Sequence, residues 1–338
     1  MLLFLKRKKG SNLNIKKTFL LIGLFFSFTH ALSFSADAYE GDAYHGSNFI
    51  NLKNGARSNA LGIAYMGFLD DAGIIFWNPA AIVTLPYNTI RIGSGLVNYN
   101  TVSADFSLVA KQENFGWGVG ASGFYYTGIK KYDASGNESA NLFNMQGYGV
   151  LAFSFLLSDF SSIGFSFKTG YRNLEDHQYY VLAGNLGMMI NILYFQLVFG
   201  LENMGYSLDN NDNKYQFIDP SLDFAFSYVK KDEQDNKIFG LSLAVNKGLD
   251  LPSDSAKIGL GAYIRMFGQS EEIEDYFEKK KTESNSLYLN VGAESYHGAN
   301  FSGGLTLLLW GLKLDYAIVF PKNHIRNFSH YASIEFRF

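Results

Sequence analysis

From about residue 88 to the end of the chain, apolar and polar positions alternate with a period of two. In "KLDYAIVF", Leu312, Leu314, Tyr316, Ile318 and Phe320 share one face, and Lys313, Asp315, Ala317 and Val319 the other. "SLYLNVGAES" sets Leu287, Leu289, Val291 and Ala293 against Tyr288, Asn290, Gly292 and Glu294. "KIGLGAYIRM", "TVSADFSLVAK", "SIGFSFK", "SLDFAFSYV" and "IFGLSLAVNK" split in the same way. The pattern predicts an all-β chain. A soluble sandwich also alternates, but its strands usually have about 5 or 6 residues. These segments have about 10 to 13, and a tilted membrane strand needs about 9 to 11. The apolar face is unbroken. The opposite face carries isolated charges at Asp105, Lys168, Asp223, Arg265, Glu294 and Asp315. That division predicts a lipid-facing exterior and a polar lumen.

Fourteen segments carry the pattern: 88–98, 101–111, 115–126, 142–157, 161–171, 178–190, 193–202, 219–230, 237–247, 255–266, 285–295, 299–309, 311–320 and 329–338. An even number places both ends of a bacterial barrel on the periplasmic side. Closure is required because lipid cannot satisfy an open sheet edge. The expected fold is therefore a 14-stranded antiparallel transmembrane β-barrel over 88–338. With the first strand running outward, the outer loops include 127–140, 172–177, 203–218, 248–254 and 321–328, and the inner turns include 112–114, 158–160, 191–192 and 310. The loop 127–140 is polar and is expected to be mobile. One inner connection is long: "GQSEEIEDYFEKKKTES" (268–284) has Ile273, Tyr276 and Phe277 at helical spacing and acids ahead of Lys279–Lys281. It reads as a short periplasmic helix or as a solvated charged loop. The ending "YASIEFRF" resembles the C-terminal signal of outer-membrane barrels, which implies the barrel-assembly machinery as a partner through Phe338.

The N-terminus predicts an export signal over 1–31. Lys6–Lys9 and Lys16–Lys17 are basic, "TFLLIGLFFSF" is apolar, and small residues precede a cleavage point after Ala31. The apolar run is about 11 residues, short of the roughly 20 that span a bilayer; a short membrane anchor is the alternative. Residues 32–87 do not alternate and bury too little to stand as a separate domain. A 14-stranded barrel has a lumen too wide for strand side chains alone to fill. This segment is therefore expected inside it as a hatch, or plug. Asn78 is a strong N-cap residue and Pro79 suits the first helical position, so "NPAAIV" predicts a short helix. Asp70 and Asp71 would then be buried and need partners; Arg57 and Arg91 are the first candidates. Trp77 is expected against the lumen wall.

Composition narrows the classes. Charged residues are 17% of the 338, below the roughly 25% of soluble domains. Aromatics are also 17%, with 22 Tyr and 31 Phe. The net charge of −3 gives no argument for nucleic-acid binding. With 0 Cys, a disulfide framework, a Cys-ligated metal site and a lipidated N-terminal Cys are excluded. No cofactor or metal is expected.

The hatch residues Gly55-Ala56-Arg57, Leu61-Gly62, Asp70-Asp71-Ala72 and Phe76-Trp77-Asn78-Pro79-Ala80 resemble the N-terminal hatch of FadL-type outer-membrane transporters, and most closely the branch with PorV-like proteins. "GLENMGYSL" (200–208) and the C-terminal segments look like further landmarks of that family. Two positions depart from its pattern: Ala81 and Ile63 stand where Gly is common. The resemblance implies a plugged 14-stranded barrel in the bacterial outer membrane. It also implies passive uptake of hydrophobic small molecules such as long-chain fatty acids. The alternative it carries is a PorV-like platform that binds periplasmic or secreted proteins, with 268–284 or the outer loops as the docking element. In "FGWGVGASGFYY", Gly116, Gly118, Gly120 and Gly123 either kink the wall for lateral opening toward lipid or make a smooth face against the plug. An enzyme is not expected. After removal of the signal, His45, His177, His297, His324 and His330 remain; none stands in a hydrolase motif, and the Glu294–His297 pair fits a strand end.

Overall fold

The computed structural model describes residues 48–51, 55–68, 70–97, 101–126, 130–132, 135, 137–141, 144–174, 177–210, 214–232, 236–249, 256–274, 279–295, 299–320 and 328–338. The expected signal peptide, 1–31, and the first part of the 32–87 segment lie outside these residues.

Fourteen strands form a closed antiparallel barrel. They are β1 (Thr89–Val97), β2 (Thr101–Lys111), β3 (Phe115–Tyr126), β6 (Asn144–Ser158), β7 (Ser161–Leu174), β8 (His177–Ile192) and β9 (Phe195–Asp209), then β11 (Ser221–Lys231), β12 (Lys237–Gly248), β13 (Lys257–Glu274), β14 (Lys279–Ser295), β15 (Ala299–Leu309), β16 (Leu312–Phe320) and β17 (Ser329–Arg337). Each pairs with its neighbours in sequence order, and β1 pairs with β17 from Thr89↔Arg337 to Leu96↔His330, which closes the ring. Three short strands lie outside it: β4 (Lys130–Tyr132) with β5 (Glu138–Asn141), and β10 (Lys214–Ile218) alongside the far end of β9. Short turns at one end, such as Trp310–Gly311 with both φ positive, mark the periplasmic side.

The two faces separate as a barrel in lipid requires. Ile92, Phe106, Leu182, Leu260, Leu305 and Phe336 are exposed on the outside. Lys313, Asp315 and Glu335 are buried on the inside, a few per cent exposed at most. A Lys or Arg on the outer face would cost about 2 to 4 kcal/mol at the bilayer midplane. The single-file alternation along β16 and β17 is the consequence. This is a barrel of the bacterial outer membrane.

All fourteen predicted segments correspond to barrel strands, three of them (101–111, 115–126, 299–309) with the same bounds. The differences lie at the ends, where strands run on into water. β7 and β8 extend to Leu174 and from His177, and β9 with β10 takes most of the expected loop 203–218. The expected outer loop 127–140 carries the short β4–β5 hairpin, whose last strand ends at Asn141. The insert 268–284 is neither a helix nor a loop in its described residues. β13 and β14 continue pairing to Glu274↔Lys279, well past the last rung with β12 at Phe239↔Ile264 and with β15 at Ser286↔Leu308. The two barrel strands template each other's extension. The register sets Glu272 opposite Lys281 and Glu274 opposite Lys279.

Among the described residues, five short helical pieces sit inside the ring: 3-10 turns Asn48–Asn51, Gly62–Gly67, Ala72–Phe76 and Pro79–Thr84, and one α-helix, Ala56–Leu61. Their apolar side chains and the inward residues of the wall form one continuous core that includes Leu61, Tyr65, Ile75, Phe76 and Ile82 with Val109, Tyr148, Val198 and Tyr263.

Candidate functional site

The plug's second half is built from two capped turns. Asp71 is extended (φ −142°) and its Oδ1 accepts the Gly73 N–H at 2.8 Å, starting the Ala72–Phe76 turn. Asn78 repeats the device: its Oδ1 accepts the Ala80 N–H at 2.9 Å, and Pro79 occupies the first position of Pro79–Thr84. The piece it starts is a six-residue 3-10 turn. The Ala80 carbonyl accepts two hydroxyls from the wall, Ser154 at 2.9 Å and Ser162 at 2.7 Å. Removing the cap in Asn78→Ala is expected to cost about 0.5 to 2 kcal/mol locally. The barrel's heat-modifiable migration should be unchanged, and proteolysis within 79–84 should speed up; unchanged proteolysis would show that the wall alone holds the turn.

The two acids are the centre of the arrangement. Asp71 is fully buried. Besides Gly73 it accepts the Tyr65 hydroxyl at 2.5 Å and the Lys313 ammonium at 2.9 Å, and the Arg91 guanidinium stands 3.6 Å away. Asp70 is held by Arg57 from the plug and by Lys237 at the start of β12, the latter at 2.7 Å. Arg91 also pairs with Asp105 at 2.5 Å, and Glu335 accepts the Ala72 N–H at 2.9 Å and the Arg337 Nε–H at 3.0 Å. Arg57 and Lys237 on Asp70, Lys313 and Arg91 on Asp71 with Asp105 beside Arg91, and Arg337 on Glu335 thus form three neighbouring charged clusters that tie plug to wall on β1, β12, β16 and β17. Gly55 leads the Ala56–Leu61 helix in the left-handed region, φ 86°, where Arg91 packs so closely that a side chain has no room.

Burial alone would raise both acids. Arg57 and Lys237 around Asp70, and Lys313 and Arg91 around Asp71, outweigh it and hold both carboxyls below the ordinary range. Burial raises the Tyr65 hydroxyl, and Asp71 beside it adds to the effect. Depressed carboxyls contribute stability above the unfolded value of about 3.9 and lose it only as pH falls through the lower folded value. Plug attachment should therefore be flat from neutral to about pH 5 and weaken in strong acid. Trp77 fluorescence against pH reads this directly; a midpoint near pH 6 would contradict the ionic anchor.

Other expected residues fall differently. Trp77 is half-buried, packs against the core shared by plug and wall, and meets Tyr65 of the plug edge-to-face, 5.7 Å between ring centres. β3 is paired without a break on both sides, so it carries no kink. Gly116, Gly118 and Gly120 face the plug: a Cβ at Gly116 would meet Ile82 at 2.6 Å, and one at Gly118 would meet Ile75 at 2.8 Å. They are the smooth seat of the plug. Gly123 lies on the opposite face, with only the Gln146 carbonyl within reach, at 3.6 Å. Lys237, Lys313 and Glu335 were not anticipated as plug partners. The available signal was that each is a charge on a lumen-facing position close to the periplasmic end of its strand.

The solved structures of similar shape share this design of barrel. A FadL homologue from Pseudomonas aeruginosa superposes with a TM-score of 0.54 at 8% identity, over 84% of this chain and 98% of that one. The chain has the FadL-type fold. The toluene transporter TodX of Pseudomonas putida gives 0.52 at 11% identity, over 83% of this chain and 96% of its own. In sequence, a UPF0164 protein of Treponema pallidum (strain Nichols) is 22% identical over 201 residues, 52% of this chain and 47% of the relative. The chain thus spans about half the length of that curated relative. No family model matches the sequence. At these identities the FadL-type likeness is one of fold.

Proposed function

We propose that the chain is a FadL-like channel for passive uptake of hydrophobic small molecules, long-chain fatty acids among them, across the outer membrane. The observation that carries the reading is the way the lumen is filled. The plug is tied to the wall by charged clusters at the periplasmic end and by wall hydroxyls on its backbone, while its contact with β3 is apolar against glycines. An apolar, side-chain-poor interface is one that a greasy ligand can enter without stripping water from charges. The two FadL-type channels of similar fold are consistent with it, one of them being described as a toluene transporter.

A second reading, a PorV-like platform for periplasmic or secreted proteins, draws on the β13–β14 hairpin, which projects beyond its neighbours on the periplasmic side and leaves both its edges unpaired by barrel strands. The test compares entry of a fluorescent hydrophobic probe into liposomes carrying the wild-type chain, Asn78→Ala and a chain lacking 54–86. Altered entry in both variants, with assembled barrels, is the expected result. Unchanged entry in both removes the channel reading and moves the platform reading ahead.

A further inference from the structure

Between plug and wall at the periplasmic end lies a small cavity of about 30 Å3, lined among others by Arg57, Asp70, Lys237, Lys313, Arg337 and Tyr263. A water needs about 10 to 15 Å3 measured in this way. The space therefore takes about two waters or one small ion, and no alkyl chain.

Its lining is charged asymmetrically. The charged side chains at this end of the plug are not evenly placed around the cavity. Four cations border it and Asp70 is the one carboxylate that does. Asp71, the partner of Lys313, and Glu335, the partner of Arg337, stand behind those cations and off the lining. Asp70 takes one bond from Arg57 and one from Lys237. The Arg57 Nε–H is left: it is buried, its residue is 6% exposed, and it has no hydrogen-bond partner. Arg57 is held in place by the Tyr263 ring beneath its guanidinium, 5.5 Å to the centroid. A fixed, desolvated N–H donor at a positively lined cavity the size of one ion is an anion site in its chemistry.

We propose that this cavity binds a small monoanion, of the size of a halide or a carboxylate group, between Arg57 and Lys237. The inference stands apart from transport: an anchor for the plug would use the same site whatever the barrel conducts. An anion here adds a bridge between the plug's Arg57 and β12's Lys237, alongside the one Asp70 already makes.

Crystals of the full chain soaked in bromide test it. The expected result is an anomalous peak within hydrogen-bond reach of Arg57 Nε. Calorimetry in detergent should give binding of bromide and formate that weakens about tenfold in Lys237→Met and returns in Lys237→Arg, with heat-modifiable migration unchanged in both. Octanoate no tighter than formate identifies a free small anion; octanoate clearly tighter identifies the head of an amphiphile. Either supports the site. Water alone in the cavity of bromide-soaked crystals overturns it, and so does equal binding by wild type and Lys237→Met.

Discussion

Asp71→Ala should release the plug while leaving the barrel closed. The side chain has 0% exposure and four partners: Tyr65, Gly73, Lys313 and Arg91. Its loss leaves the ammonium of Lys313 and the guanidinium of Arg91 buried with excess positive charge, and frees the N–H of Gly73. Breaking a buried pair from one side costs about 3 to 5 kcal/mol, more than any single cap in the plug. Asp315 at 3.6 Å from Lys313 and Asp105 beside Arg91 soften the loss without cancelling it. The wall does not depend on Asp71 for its ladders, so the damage should fall on 55–86. Protease should cut that segment in the variant and spare it in wild type, with migration still heat-modifiable. Adding Lys313→Met to Asp71→Ala should recover part of the protection, because the uncompensated charge goes with it. Equal protection in Asp71→Ala and wild type would mean that apolar packing alone retains the plug.

Gly164→Val should push the capped turn of the plug off the inner wall. A Cβ there would stand 2.5 Å from the Ala80 nitrogen and 2.5 Å from the Pro79 carbonyl carbon. Both are backbone atoms of the capped turn, so no side chain can swing aside. Overpacking of this kind costs about 1 to 3 kcal/mol, and here it must displace the turn that Ser154 and Ser162 hold. Gly123→Val is the control on the same wall: its nearest neighbour is 3.6 Å away. Thermal melting of the assembled barrel, followed by migration, should drop for Gly164→Val and hold for Gly123→Val. A drop of equal size in both would place the effect in strand formation rather than in the seat of the plug.

What the sequence makes legible follows from strand geometry. Side chains alternate strictly along a strand, so a single Lys313 between Leu312 and Leu314 settles which face meets lipid for the whole of β16. Asp70 and Arg57 are 13 residues apart and both belong to the plug, so their pairing is within reach of local reasoning. Lys313 and Glu335 reach the plug across 242 and 263 residues. Their inward direction is readable, but their height and position around the ring depend on the registers of strands that have not yet been placed. The 268–284 insert misleads for the opposite reason. Its local spacing favours a helix, and the ladder already formed by β13 and β14 overrides it. Gly116, Gly118 and Gly120 look alike as hinge or seat until Ile75 and Ile82 are seen against them.

If the proposed channel works by movement of the plug, hydrophobic molecules pass this barrel only when the plug shifts against the wall. With 0 Cys in the chain, one engineered disulfide tests this without background. A Cβ at Gly261 would stand 2.8 Å from the Ala64 Cβ, and a disulfide spans about 3.5 to 4.5 Å between Cβ atoms, so a shift of about 1 Å admits the bond. In liposomes, Ala64→Cys with Gly261→Cys should take up a hydrophobic probe when reduced and stop when oxidised. Uptake at the reduced rate with the disulfide closed would contradict the account.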